Sequence, residues 1–471
     1  MKRILILSLL PLFCLSCNSP EVKSPAPYVD ERIELLNIVF RLAEVPSYQS
    51  DLIKPYIESI DNYFAEYRDH ELINFTAELF YKFGISYDAV VSYAVLLDIK
   101  DGEVLFKNDV ILEFDDRWQA DNPQLFLHKL NDFYREVNFR KFFNDCHSIY
   151  QRAVDNYINA AIEIDYGWFD RYFGKKSDDI HFHIILNILD NEYNYGPKAT
   201  FNNGREDMYA ILSAHSADNE GYPIYKRWSY DVVIHELLHS FVNPLVDIYS
   251  HELNATNELF YNFSAEKLRT AAGVGTSKLM KYETLVRACE IQYHKAHSEH
   301  NHWRKRLYSE QRHGFIWLEA LCDLLSEEYE TSRRIYSDMY SFMPQIIQTL
   351  NGISLEELTN DFYSKCARVC KSSITDGATD VDPATNILTF TFDKPMYTGA
   401  NSYDIRPGKL GKTSIPRITD VKWSDDAKEL VLTVELEPIT DYSIVLSAHG
   451  FLGENNEPLA DFYHIQFQTS N

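Results

Sequence analysis

The sequence predicts an α+β protein: a mainly helical body with a small β-sheet over 29–370, then a C-terminal β-sandwich over 371–471. Three observations carry that expectation. Apolar residues recur at helical spacing through most of the first 370 residues, the texture turns β-rich in a pair of segments within 181–214, and the period falls to two from about Lys371 onward. The 471 residues, 45% of them hydrophobic and including 32 Tyr and 28 Phe, suffice for two or three domains with large cores, which excludes a disordered chain.

At the N-terminus, MKRILILSLLPLFCLSCNSP sets Lys2 and Arg3 ahead of an apolar run too short to span a bilayer, the layout of an export signal. Leu15-Ser16-Cys17 is similar to a bacterial lipoprotein cleavage box, in which Cys17 is acylated and becomes the first mature residue, although Cys14 stands where an aliphatic residue is usual. Residues 1–17 are therefore expected to be a lipoprotein signal peptide, and the Pro- and Ser-rich NSPEVKSPAPY of 18–28 a linker. The expected location is the cell envelope, at the outer membrane, with membrane contact only through the lipid on Cys17. Loss of the signal takes the formal charge from −25 to −27, which excludes a general attraction to nucleic acid or anionic lipid. Cys146, Cys289, Cys322, Cys366 and Cys370 are irregularly spaced, which argues for buried thiols rather than a disulfide framework.

Within the body, IELLNIVFRLAEV (33–45), behind Asp30-Glu31, and ISYDAVVSYAVLLDI (85–99), after Gly84, are expected helices. HFHIILNIL (181–189) and MYAILSA (208–214) read as strands flanking a polar turn region. Helical periodicity returns in KYETLVRACEIQYHKA (281–296) and GFIWLEALCDLLSEEY (314–329). Beyond Lys371, ILTFTFD (387–393), ELVLTVEL (429–436), DYSIVLSA (441–448) and FYHIQFQT (462–469) alternate with period two. Leu430, Leu432, Val434 and Leu436 point one way and Glu429, Thr433 and Glu435 the other, as in a strand with one wet face. Such strands at this spacing make a sandwich. The segment SSITDGATDVDPATNILTFTFDKPM also resembles a bacterial Ig-like family, over 372–470, so an Ig-like β-sandwich is implied there.

The chemistry centres on YDVVIHELLHSFVNPLVD (230–247). Residues four apart share a helix face, so His235 and His239 can turn their imidazoles to one cation while Glu236 reaches beside it. That pattern supplies two zinc ligands and a general base, and a catalytic zinc needs a third protein ligand and a position for water. Independent placement produces H-E-x-x-H in roughly 4 of 100 chains of this composition, so the pattern draws its weight from context. Ile234, Leu237, Leu238 and Phe241 give the helix an apolar side, Asn243-Pro244 is expected to stop it, and two strands precede it, as in a zincin-like fold.

The metzincin extension requires a glycine at 242 and a histidine at 245; Val242 and Leu245 exclude it. A glutamate from a later helix is then the expected third ligand, a gluzincin-type arrangement, from among Glu252, Glu258, Glu266, Glu283 and Glu319. Glu283 stands out because Arg287 follows one turn later inside an otherwise apolar segment, where a carboxylate needs a partner. Glu319 with Asp323 is the runner-up. Arg287 and His313 are candidates for stabilising the oxyanion, with Arg287 placed beside Glu236 in the catalytic set. HKAHSEHNH (294–302) is expected to be a solvated helix end.

DERIELLNIVFRLAEVPSY, GISYDAVVS, Asn194–Pro197, HELLHSFVNP and ETLVRA together resemble a family of bacterial envelope proteins, a domain of unknown function regarded as a zinc peptidase. In that family a Glu-x-L-V-R-A segment accompanies the H-E-x-x-H helix, so the resemblance implies Glu283 as third ligand. The resulting expectation is a zinc metallopeptidase acting on a peptide or protein, with His235, His239 and Glu283 on zinc and Glu236 as general base. Two rivals stand beside it: a non-catalytic surface binding lipoprotein on the same scaffold, and a zinc amidase acting on cell-wall peptide.

Overall fold

The computed structural model describes residues 25–471 except 120, 161–162, 175–178, 190–192, 226–228, 298–301, 400–402 and 449. The expected signal peptide and Cys17 lie outside the described residues. Helices and small sheets alternate along the chain, with fifteen α-helices among the described residues and a β-rich C-terminal region, so the protein is mixed α and β. The chain divides into two units between Val233 and Ile234, inside the helix that carries the H-E-x-x-H motif.

The first unit opens on a capped helix. The Asp30 side chain accepts from the Arg32 backbone N–H, and Glu31–Leu42 follows with Leu35, Leu36, Ile38, Val39 and Phe40 fully buried. The expected helix over 85–99 is shorter than its apolar run. It spans Asp88–Val95, and Leu97–Lys100 instead pairs antiparallel with Glu103–Phe106. The cause is Asp101-Gly102, whose φ values of 53° and 81° form a two-residue hairpin turn. The two expected strands are Ile180–Asn187 and Glu206–Ser213, paired parallel, with Lys198–Thr200 antiparallel on the far side of the second. Burial on both faces explains their continuous apolar runs.

The second unit holds helices Ser250–Ala271, Ser277–His297, His302–Arg312, Met339–Asn351 and Leu355–Lys365. The motif helix spans Ser229–Ile248 and runs through Pro244, so Asn243-Pro244 does not stop it. Proline removes one backbone donor, and the Asn243 side chain is engaged elsewhere. The segment expected as one helix over 314–329 is Leu318–Leu324 followed by a wider turn, Leu325–Tyr329.

The change of period near Lys371 coincides with the first strand of the C-terminal region, Val369–Ser372. One four-stranded sheet runs in the order Arg417–Trp423, Glu429–Glu435, Ile387–Phe392, Val369–Ser372; the other runs Ile405–Pro407, Asp441–Leu446, Tyr463–Thr469, Ala378–Val381. Leu430, Leu432 and Val434 are buried in a core shared with Phe390, Ile444 and Phe467, while Glu429 and Glu435 face solvent, as the alternation requires. Cys146, Cys289, Cys322 and Cys366 are buried free thiols, and Cys370 is exposed. No described helix is long and apolar enough to cross a membrane.

Candidate metal centre

Val233, Ile234, Leu237, Leu238 and Phe241 bury one side of the motif helix, which fixes the direction in which His235 and His239 project. Their Nε2 atoms face each other at 3.3 Å. Glu283, from the Ser277–His297 helix, brings Oε1 to 3.2 Å from His239 Nε2 and Oε2 to 3.6 Å from His235 Nε2. A tetrahedral ion with bonds of about 2.0–2.1 Å holds its ligand atoms about 3.3 Å apart, so these separations are the edges such an ion needs. Among the described residues this is the one group of three His, Cys, Asp or Glu side chains close enough to share a metal ion.

The other nitrogen of each imidazole is occupied. His235 Nδ1 lies 3.1 Å from Glu290 Oε2, and His239 Nδ1 lies 3.1 Å from Asn243 Oδ1. With acceptors at both Nδ1 positions, the protons belong there and both Nε2 lone pairs turn toward Glu283. The donor set thus fits zinc in kind, in separation and in tautomer.

Charge points the same way. Glu283, Glu290 and Glu310 are 7%, 0% and 3% exposed, and besides histidines the cations among them are Arg287 and Arg306. Arg287 binds Glu283 at 2.9 Å and Glu310 at 2.5 Å; Arg306 binds Glu290 at 2.8 Å and Glu310 at 3.1 Å. Three buried acids against two arginines leave one negative charge to be met by the neighbouring histidines or a metal, since a buried charge left uncompensated is costly. Without a metal, His235 takes up the difference: burial works against its charge, but Glu283 and Glu290 outweigh burial and raise its pKa to about 10. Burial opposes ionisation of Glu283 too, yet Arg287 and His235 hold it well below the usual carboxylate range.

Glu236 is 8% exposed and takes no hydrogen bond or ion pair from the described residues. Burial raises its pKa, His235 and His239 pull the other way, and Glu283 and Glu290 add to the rise. A carboxylate more basic than usual and free of partners suits a proton acceptor.

The remaining glutamates lie elsewhere. Glu252, Glu258 and Glu266 are exposed, and Glu319 pairs with Lys365 at 3.0 Å. Asp323, the other half of the runner-up pair, is exposed; partial desolvation raises its pKa, with Glu319 adding to the rise. Arg287 has both terminal nitrogens on carboxylates and its guanidinium 4.9 Å from the centre of the Phe315 ring, so its placement is that of a group holding Glu283. His313 Nδ1 lies 3.6 Å from Glu310. In the histidine-rich segment, His297 stacks on Tyr293 and His294 lies 3.7 Å from Glu290; His300 is outside the described residues. Sequence reasoning missed Asn243, Glu290, Arg306 and Glu310. The available signals were Asn243 four residues after His239, and Glu290 seven after Glu283, on the same helix face.

The family model described as "Domain of unknown function (DUF4932)" matches residues 28–349, and the chain belongs to that family. No curated protein matches. Among solved structures, CopC from Methylosinus trichosporium OB3b is 14% identical, with 22% of this chain and 93% of that chain covered and a TM-score of 0.18. The surface layer protein SbsC, domains 1–6, is 12% identical, with 55% and 35% covered and a TM-score of 0.19. Neither likeness carries an argument about this fold.

Proposed function

We propose that this member of the DUF4932 family is a zinc-dependent metallopeptidase with a zincin-like body, in which His235, His239 and Glu283 hold the metal and Glu236 is the general base. The observation that carries the reading is the triangle of His235, His239 and Glu283 ligand atoms, 3.2–3.6 Å on a side, with both Nδ1 atoms already taken. Zinc, when bound, supplies a Lewis acid that polarises a peptide carbonyl and makes water acidic enough to attack near neutral pH. Glu236 takes a proton from the attacking water and delivers it to the departing amine. Arg287 keeps Glu283 ionised and oriented, a positioning role in place of the oxyanion role expected from sequence.

In this reading the C-terminal region is an Ig-like sandwich, and the leader anchors the protein by Cys17 to the outer membrane. The test pairs zinc content of the wild type and a His239→Ala variant with cleavage of a peptide library by the wild type and Glu236→Gln. The expected result is equimolar zinc in the wild type and in Glu236→Gln, little in His239→Ala, and a cleavage loss on the order of 10²–10⁴-fold in Glu236→Gln. Zinc bound without Glu236-dependent cleavage favours the binding-scaffold reading instead.

A further inference from the structure

Glu290 is the most costly residue of the site to bury. Its carboxylate is fully enclosed, and such a group persists in a protein interior only where fixed partners compensate its lost hydration. Besides His294 on its own helix, 3.7 Å from Oε1, those partners come from two other helices. Arg306, on His302–Arg312, donates to Oε2 at 3.0 Å and makes an ion pair with Oε1 at 2.8 Å. His235, on Ser229–Ile248, presents Nδ1 to Oε2 at 3.1 Å. Glu290 therefore lies behind the imidazole, facing away from the Nε2–Nε2 gap, and belongs to the support of the site rather than to the ligand set.

The contacts continue until they close. From His235 the path runs to Glu290, Arg306, Glu310, Arg287 and Glu283, and Glu283 returns to His235. Positive and negative groups alternate at each step after the imidazole. The circuit ties three helices together and reaches the ligand set from both ends, through His235 and through Glu283. Neither side chain can swing without breaking a charge-assisted contact in the low-dielectric interior, where such contacts are strongest.

We propose that Glu290, held by Arg306, is the positioning residue that sets the tautomer and ring orientation of His235, and that the circuit through Glu310 and Arg287 couples it to Glu283. The inference rests on the zinc reading above but concerns residues that reading does not use. Groups in this relation to a ligating histidine typically contribute 10–100-fold in metal affinity.

The experiment measures zinc affinity by chelator competition, with ¹⁵N imidazole spectra of the zinc-loaded protein, for the wild type, Glu290→Gln, Arg306→Met, Arg306→Lys and the Glu290→Gln/Arg306→Met double variant. Glu290→Gln is expected to lower affinity about 10–100-fold and to move the His235 nitrogen signals while leaving those of His239 in place. Arg306→Met is expected to give a smaller loss, rescued in part by Arg306→Lys, and the double variant to lose less than the sum of the two single losses, because Arg306 acts through Glu290. If Glu290→Gln does not fold, the Arg306→Met and Arg306→Lys pair decides: a loss restored by lysine, with the His235 signals displaced, supports the inference. Wild-type affinity and unmoved His235 signals in the variants overturn it while leaving the zinc reading intact. Failure of the wild type itself to bind zinc removes both.

Discussion

Among the described residues, two clusters set a partly buried histidine beside buried carboxylates, one in each unit, and they settle in opposite states. Around His235 the acids prevail, and the imidazole holds its proton up to about pH 10. In the first unit, Asp207 and Asp30 lie among Arg32, Lys107 and Arg205: Arg32 meets Asp30 at 2.5 Å, Arg205 meets Asp207 at 3.1 Å, and Lys107 reaches Asp207 at 3.6 Å and the Tyr209 hydroxyl at 2.7 Å. There His183 stacks on Tyr209 with its Nε2 3.9 Å from Asp207, yet burial, with Lys107 and Arg32 adding to it against Asp207, lowers its pKa to about 4. Lys107 itself is pushed down to about 8, chiefly by burial and then by Arg32. A histidine beside a carboxylate is thus no sign of a metal site by itself. The balance of fixed charge decides: the first cluster already has its cations, and the second is one short.

The largest expected contrast comes from removing one acid of each cluster. Structural zinc sites bind with about 10–16 kcal/mol shared over their ligands, so Glu283→Gln is expected to cost about 4 kcal/mol of zinc binding, on the order of 10³ in affinity. Asp207→Asn is expected to leave zinc content unchanged and to lower unfolding stability by about 1–2 kcal/mol, since it strands the partly buried Lys107 and Arg205. Chelator competition and denaturant titration on both variants separate the two outcomes.

Next in size is a pH effect. A folded pKa of about 4 against an ordinary value of 6.5 means that below pH 6.5 the unfolded chain binds a proton at His183 that the folded chain refuses. Stability from this residue is complete above about 6.5, declines as pH falls, and is lost by about 4, on the order of 2–3 kcal/mol in all. Substituting His183→Phe should flatten that part of the stability profile; an unchanged profile would mean that burial and the neighbouring cations do not hold this ring neutral.

His235 is shifted the other way, upward, and its proton competes with zinc. Zinc must displace its proton, so below about pH 10 zinc affinity should rise with pH by about tenfold per unit for this proton. Calorimetry in two buffers of different ionisation enthalpy would read the released proton directly, and Glu290→Gln should reduce the effect. The smallest expected change belongs to an acid outside both clusters. Glu319, half-buried on Lys365, should lose at most about 1 kcal/mol of stability as Gln and leave zinc affinity unaltered.

What could be read from the chain follows how local each signal is. His235, Glu236 and His239 are visible because helical spacing alone puts them together, and Leu430, Leu432 and Val434 because strand alternation alone puts them on one face. Glu283 was reachable through Arg287 and the resemblance around it, although 44 residues separate it from His239. Glu290, Arg306 and Glu310 were not, since Glu290 with His294 and Arg306 with Glu310 read locally as wet-face pairs four apart, and only tertiary packing buries them. The Leu97–Phe106 hairpin was hidden by an apolar run that continues the helix before it, although its Asp-Gly turn was in view. Pro244 misled for a related reason: a long helix packed along one side tolerates one lost backbone bond.

X-ray absorption at the zinc edge, on protein purified without added chelator, tests the central claim most directly. The account predicts one zinc per chain in a four-coordinate shell of nitrogen and oxygen at about 2.0–2.1 Å, two of the ligands imidazole, all of it lost in the His239→Ala variant. A shell containing sulfur, or a zinc signal that survives loss of His239, would contradict it.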